Sequence, residues 1–172
     1  VVYQPIKQGA TRLAALLSGE IDFVLDPDVQ DIPRLKQDKK IKILEGNENR
    51  TIFFGMDQWR DELQYASVKG KNPFKDKRVR EAFLLAIDVN AIKTSVMRGL
   101  SYPTAVMFAP QVDGYDKALD APRKMDRERA KKLMAEAGYP QGFEVTLDCP
   151  NNRYINDEKI CQATAAMLSQ IN

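Results

Sequence analysis

The sequence predicts an α/β fold, in which short apolar strands alternate with amphipathic helices. Two patterns support this class. Short apolar runs bounded by turn-forming residues, such as Ile21–Leu25 before Asp26 and Pro27, are typical of strands. Longer stretches repeat apolar residues at the i, i+3, i+4 spacing of a helix, as the residues from Val79 to Ile87 do. Strands and helices in alternation along one chain favour an α/β architecture.

The part of the chain up to Met56 is predicted to run in the order β-α-β-α-β-β. One helix opens at Gly9 and ends before Gly19, because glycine favours a helix stop. A second helix is predicted from Val29 to Gln37, where Pro33 fits only near the first turn. The predicted strands are Val1–Ile6, Ile21–Leu25, Ile41–Leu44 and Thr51–Met56.

The rest of the chain is predicted to hold four helices and one strand. Asp76 and Asp126 are good N-caps, since an aspartate side chain accepts hydrogen bonds from the first turn. Gly138 suits the left-handed position that ends the second of these helices. The other predicted segments are a polar loop over Gln58–Pro73, a short helix over Ala91–Met97 stopped by Gly99, an irregular stretch over Ser101–Asp120, a strand over Phe143–Leu147 and a last helix capped by Asn156 or Asp157.

Composition and charge argue against several classes of function. Of 172 residues, 44% are hydrophobic and 29% charged, and the net charge of +2 is too weak to indicate a nucleic-acid partner. No apolar run reaches the roughly 20 residues that a membrane helix needs. The chain has no histidine and no glycine-rich phosphate loop, which argues against His-dependent nucleophilic catalysis, His-based metal sites and nucleotide binding. We therefore expect neither an enzyme nor a metal or cofactor site.

The two cysteines, Cys149 and Cys161, lie too far apart in sequence for a C-x-x-C motif. Cys149 follows a predicted strand and Cys161 lies in the first turns of the returning helix, so the two can come within disulfide range. An oxidising compartment favours a disulfide between them, whereas a reducing compartment favours two buried thiols.

Five stretches together resemble the family 5 extracellular solute-binding proteins, which are the peptide- and nickel-binding components of ABC importers. They are TRLAALLSGEID (residues 11–22), NPFKDKRVREA (72–82), AID (86–88), DRERAKKLMAEAGYP (126–140) and GF (142–143). Most of these residues cap, turn or pack helices, so they identify the family without identifying its ligand.

The resemblance implies a periplasmic-binding-protein-like fold of type II, with two α/β lobes joined by a hinge and present here as a partial chain. It assigns residues 1–55 to the first lobe, up to the crossover strand, and 56–172 to the N-terminal part of the second lobe. It implies capture of a small solute, most often a di- or oligopeptide, in the interlobe cleft, and delivery to membrane permease subunits. The expected location is the periplasm, or the outer face of the membrane as a lipoprotein. The chain begins with Val1 rather than methionine, so we expect a fragment of a longer protein.

Two segments are candidates for ligand contact. Phe54-Gly55-Met56-Asp57 follows the implied crossover, where the absence of a side chain at Gly55 allows close approach and Asp57 can pair with a peptide amine or make a structural hydrogen bond. Asn152-Arg153-Tyr154 follows the carboxyl end of a strand, where α/β folds bind ligands. There Arg153 can hold a carboxylate and Tyr154 can stack on a side chain, unless the loop serves only as a turn.

Other functions remain open from the sequence. The same fold serves as a sensor, a chaperone or an interaction protein, and family members also bind nickel chelates, opines, haem or sugars.

Overall fold

The computed structural model describes residues 1–172 and contains six α-helices. They are α1 (Gly9–Ser18), α2 (Ile32–Leu35), α3 (Lys77–Ala86), α4 (Val89–Ala91), α5 (Arg127–Glu136) and α6 (Asp157–Leu168), with a π-helical turn at Ile92–Val96 and 3-10 turns at Pro73–Lys75 and Ser169–Ile171. Helix α2 is shorter than the predicted Val29–Gln37. Pro33 occupies its first turn, and no side-chain hydrogen bond at Asp31 extends the helix towards the N-terminus.

Aspartate caps start three helices. The side chains of Asp76 and Asp126 accept backbone hydrogen bonds at the starts of α3 and α5, as the sequence predicts. Asp88 caps α4 in the same way, so the short helix begins two residues earlier than predicted and then widens into the π-helical turn. At the other end of α5, Gly138 has a φ of 91°, the left-handed conformation that glycine adopts without steric cost.

The main hydrophobic core lies between α3 and α5. Each helix turns a buried face towards the other, and Val79, Ala82 and Ala130 are completely inaccessible to solvent. Four rings close one side of this core: Phe74 lies edge-on to Phe83 at 5.1 Å between centroids, and Phe143 contacts both of them and Tyr139. The core is built entirely from residues after Met56.

The segment Gln58–Pro73 was predicted as a polar loop, but it contributes to this core. Leu63 and Ala66 are buried in it, at 5% and 7% exposure. Ala66 also forms an antiparallel bridge with Val145, and the Thr146 amide donates to the Tyr65 carbonyl at 3.1 Å. The apolar residues in a mostly polar stretch were the signal for this packing.

The predicted strands do not form ladders in this structure. Phe143–Leu147 supplies only the single bridge at Val145, and the other four predicted strands, Val1–Ile6, Ile21–Leu25, Ile41–Leu44 and Thr51–Met56, are not hydrogen-bonded as strands. A ladder requires a second strand alongside the first, and no other segment makes ladder hydrogen bonds with these four. Their side chains are correspondingly open: Phe23, Leu25 and Leu44 are 72%, 72% and 78% exposed.

A second, smaller cluster connects the two ends of the chain. Val29 from the N-terminal part packs with Met97, after the π-helical turn, and with Ile160 of α6. The Arg98 side chain donates to the Gln30 side chain at 2.7 Å beside them. This cluster joins the N-terminal part of the chain to the π-helical turn and to α6.

Candidate functional site

The loop that leads into α6 is held at several points. Cys149 and Cys161 form a disulfide, with their Cα atoms 6.4 Å apart. The Asp157 carboxylate accepts hydrogen bonds from the backbone N–H groups of Arg153 and Tyr154, at 2.9 and 3.0 Å. Asn156 adopts a left-handed conformation, with φ of 55°. The side chains between these anchors are therefore displayed from a constrained backbone.

Asn156 and Asp157 do not act as the predicted cap. The Asn156 side chain makes no capping bond and donates instead to the Val96 carbonyl at 2.8 Å, which ties the start of α6 to the π-helical turn. Burial alone raises the pKa of Asp157, but backbone donors from Tyr154, Arg153 and Glu158 outweigh it, and the pKa lies below its ordinary value. The buried carboxylate is therefore ionised at neutral pH and serves the loop.

Tyr154 has two arginines beside its ring. The Arg153 guanidinium carbon lies 5.1 Å from the ring centroid, and that of Arg50 lies 5.3 Å from it. Both distances are within cation–π range. Arg50 also pairs with Glu48, at a long 3.4 Å, and Arg153 makes no ion pair. A constrained loop thus presents Tyr154 and Arg153, and Arg50 from a distant segment lies beside the same ring.

Phe54 of the first predicted segment and Ile155, the residue after the second, contact the same cluster. It is the smaller cluster of Val29, Met97 and Ile160. Phe53 points the other way and is 63% exposed, so the two neighbouring rings face opposite sides. Phe54 thereby lies in the same part of the molecule as Arg153 and Tyr154, while Asn152 is exposed at the loop.

The other members of the first segment differ in surroundings. A side chain added at Gly55 would meet no atom within 4 Å, so there is open space beside its backbone. Met56 packs against the main core. The Asp57 carboxylate accepts from the Trp59 and Arg60 amides at 3.0 and 3.2 Å and from the Arg60 guanidinium at 2.6 Å.

The hydrogen bonds from the Arg60 side chain are the main cause that lowers the pKa of Asp57. Asn72, which is buried, reinforces this turn by donating to the backbone carbonyls of Asp57 and Arg60. The Asp57 side chain thus makes structural hydrogen bonds within its own turn. This is the alternative to ligand binding that the sequence leaves open.

A separate concavity lies away from this loop. An open groove of about 700 Å³ runs between α3 and the start of α5, lined mainly by charged side chains that include Glu81, Arg123 and Asp126. Arg123 and Glu81 already pair there at 2.8 Å. We give more weight to the arginine-flanked loop, because the groove is shallow and its charges of opposite sign lie together.

Two further observations bear on chemistry. No three acidic or cysteine side chains converge at a spacing that would hold a metal ion. None of the helices combines the length and apolar character needed to cross a bilayer.

Sequence reasoning missed Arg50, which lies 104 positions before Tyr154. No local pattern links the two, and only the folded chain brings them together. Val29, Met97 and Ile160 were likewise read as separate helix residues rather than as one cluster.

Comparison with known proteins gives one family over the whole chain. The model of bacterial extracellular solute-binding proteins, family 5 Middle, matches residues 1–172. Heme-binding protein A of Haemophilus influenzae is 32% identical over 145 residues, which are 84% of this chain and 24% of that protein. Glutathione-binding protein GsiB of Escherichia coli K12 is 27% identical over 171 residues, which are 99% of this chain and 31% of that protein. The chain thus spans between a quarter and a third of these relatives' length.

A solved structure shares the fold. The ABC transporter-associated periplasmic binding protein DppA of Helicobacter pylori, in complex with the peptide STSA, aligns with a TM-score of 0.66 at 22% identity. The alignment covers 96% of this chain and 30% of that one. The predicted α/β, periplasmic-binding-protein-like fold is confirmed at the level of the family, although the strands of this chain are unpaired.

Proposed function

Since the chain belongs to the bacterial extracellular solute-binding proteins of family 5, we propose that the protein is the substrate-binding component of an ABC importer. It captures a small solute, in the first place a di- or oligopeptide, between two lobes and passes it to membrane permease subunits. The observation that carries this proposal is the pair of arginines beside Tyr154, on a loop held by a disulfide and by Asp157. Aromatic and guanidinium groups suit ligands with varied side chains and a carboxylate end.

The proposed lobes divide the chain at the crossover. Residues 1–55 belong to the first lobe and 56–172 to the second, in keeping with a main core built only from the later residues. The cluster of Val29, Met97 and Ile160 then lies between the lobes, close to the hinge side of the cleft. Closure of the lobes around the ligand is the binding step.

Each candidate residue has a role in this proposal. Gly55 leaves room for a ligand backbone, and Phe54 and Met56 give the cleft its apolar floor. Arg153 and Asn152 bind polar ligand groups, and Tyr154 stacks on a ligand side chain. The Asp57 carboxylate can bind a ligand amine only if that amine replaces the Arg60 guanidinium as its partner.

We place the protein outside the cytoplasmic membrane, in the periplasm or as a surface lipoprotein. The Cys149–Cys161 disulfide supports this location, since structural disulfides persist in oxidising compartments. No covalent chemistry is part of the proposed function.

A non-peptide solute is the second candidate, and the names of the relatives favour it. One relative is a heme-binding protein and another a glutathione-binding protein. Proteins of this family thus bind ligands of different size and charge. A nickel chelate, an opine or a sugar falls under the same alternative, as does a sensor or chaperone role on the same fold.

The test is native mass spectrometry of the full-length protein, as purified and after mixing with a pool of short peptides. We expect a discrete added mass that fragments as a peptide. Absence of any bound peptide, with binding of haem or a metal chelate instead, would shift the assignment to the second candidate. A peptide that is released in cleaved form would contradict the non-enzymatic role.

A further inference from the structure

Arg50 and Arg153 are two positive charges beside one ring. Each guanidinium carbon lies within 5.3 Å of the Tyr154 centroid, so the two cannot be farther apart than twice that distance. An anion that lies within reach of both groups is attracted by both positive charges.

The protein's own carboxylates neutralise this pair only weakly. Glu48 reaches Arg50 at 3.4 Å, with more than half of the glutamate side chain exposed, so solvent screens that pair. Asp157, the nearest buried carboxylate along the chain, directs both oxygens to backbone N–H groups of Arg153, Tyr154 and Glu158. Neither carboxylate is placed to pair with the Arg153 guanidinium.

The backbone that carries this pair is constrained on the loop side. The disulfide closes the segment between Cys149 and Cys161, and the Asn156 side chain ties it to Val96. Stacking on Tyr154 further restricts the arginine side chains, which are long and would otherwise lose entropy on binding. A ligand anion therefore meets a guanidinium group, that of Arg153, carried by a constrained backbone.

We infer that Arg50, Tyr154 and Arg153 form a subsite for a dianionic ligand end, such as a peptide that carries a side-chain carboxylate in addition to its terminal one. This inference rests on the proposed function, and it narrows the substrate class from peptides in general to acidic ones. Guanidinium groups bind carboxylates through paired N–H···O bonds, and two of them suit two carboxylates. The Tyr154 ring beside them packs against the ligand atoms that join the two carboxylates.

The experiment compares two tripeptides that differ in one group, Ala-Ala-Glu and Ala-Ala-Gln, by titration calorimetry on the full-length protein. We expect the glutamate peptide to bind at least about tenfold more tightly, the effect of one further charge-assisted contact. Arg153→Gln and Arg50→Gln should each remove most of this preference. Arg34→Gln is the matched control, because Arg34 is exposed on α2 and outside the cluster.

The outcomes separate the two proposals. Equal binding of both peptides to the wild type, unchanged by Arg153→Gln, overturns the dianion subsite while the peptide receptor stands. Binding of neither peptide removes the peptide class and the subsite with it. Arg153→Lys distinguishes charge from geometry: it should recover part of the preference but not all, because lysine lacks the planar fork. Thermal melts of every variant confirm that each one folds.

Discussion

The two parts of this chain, residues 1–55 and 56–172, differ in where their apolar side chains find neighbours. In the later part, α3 and α5 pack face to face and Phe74, Phe83 and Phe143 close the core. In the earlier part seven large apolar side chains are more than 60% exposed, against three in the longer later part. The seven are Val1, Val2, Tyr3, Phe23, Leu25, Leu44 and Phe53. Helices form hydrogen bonds within one stretch of chain, whereas a strand forms only when a second segment pairs with it.

Truncating one leucine in each part tests this contrast and has the largest expected effect. Leu133→Ala removes a side chain that is 2% exposed in the main core, and we expect it to lower the free energy of unfolding by about 2–5 kcal/mol. Leu44→Ala acts on a side chain that is 78% exposed, and we expect a change within about 0.5 kcal/mol. Urea unfolding of the 172-residue chain, followed by circular dichroism, measures both.

Measuring Leu133→Ala and Leu44→Ala in the full-length protein sharpens the comparison. If Leu44→Ala is neutral in the 172-residue chain but costly in the full-length protein, other parts of that protein cover the segment. Equal costs for the two substitutions in the shorter chain would refute the division into a packed and an open part.

Opening the disulfide is expected to have the next largest effect. Cys149 and Cys161 are 12 positions apart, and closing so short a loop stabilises by about 3 kcal/mol in the chain-entropy model. The variant Cys149→Ser with Cys161→Ser should lose about this much and should expose the amides of Arg153 and Tyr154 to hydrogen exchange. The amides of α3 serve as the internal control, because their protection depends on the main core.

A wild-type protein whose mass does not change by two hydrogens on reduction would show that the thiols are free. Equal exchange of the loop amides in the variant and the wild type would show that the disulfide does not order the loop.

The smallest expected effect is the loss of stability at low pH, which tests the loop before α6. The pKa of Asp157 lies below its ordinary value of about 3.9. Its contribution to stability is therefore present above that value and is lost as the pH falls through the lower, folded-state pKa. Asp157→Asn should remove this part of the acid dependence. Unfolding midpoints measured from neutral pH to below the ordinary pKa report it, and parallel curves for the variant and the wild type would contradict the role of the carboxylate.

Local signals explain which features the sequence could predict. Asp76, Asp126 and Gly138 act within one helical turn, so their effect can be read from neighbouring residues, and the structure confirms all three. The strands could be identified as apolar runs, but their pairing is a property of distant segments. Leu63 and Ala66 were assigned to a loop because their polar neighbours outnumber them.

In the candidate site, too, the features set by neighbouring residues could be predicted and those set by distant ones could not. Arg153 and Tyr154 adjoin a predicted strand end and could be named from the sequence. Arg50 could not, because it lies 104 positions before Tyr154 and only the folded chain brings the two together. Asp157 was predicted as a cap, but two of its three backbone partners, Arg153 and Tyr154, lie in the loop before it.

The position of Trp59 has a practical consequence for spectroscopy. It is the only tryptophan among the 172 residues, it is 87% exposed, and its amide donates to Asp57 at the turn after the proposed crossover. Its intrinsic fluorescence in this chain therefore reports on one turn and is nearly blind to the packing of α3 against α5. A blue shift on adding ligand would be a direct optical signal that the crossover turn has left water.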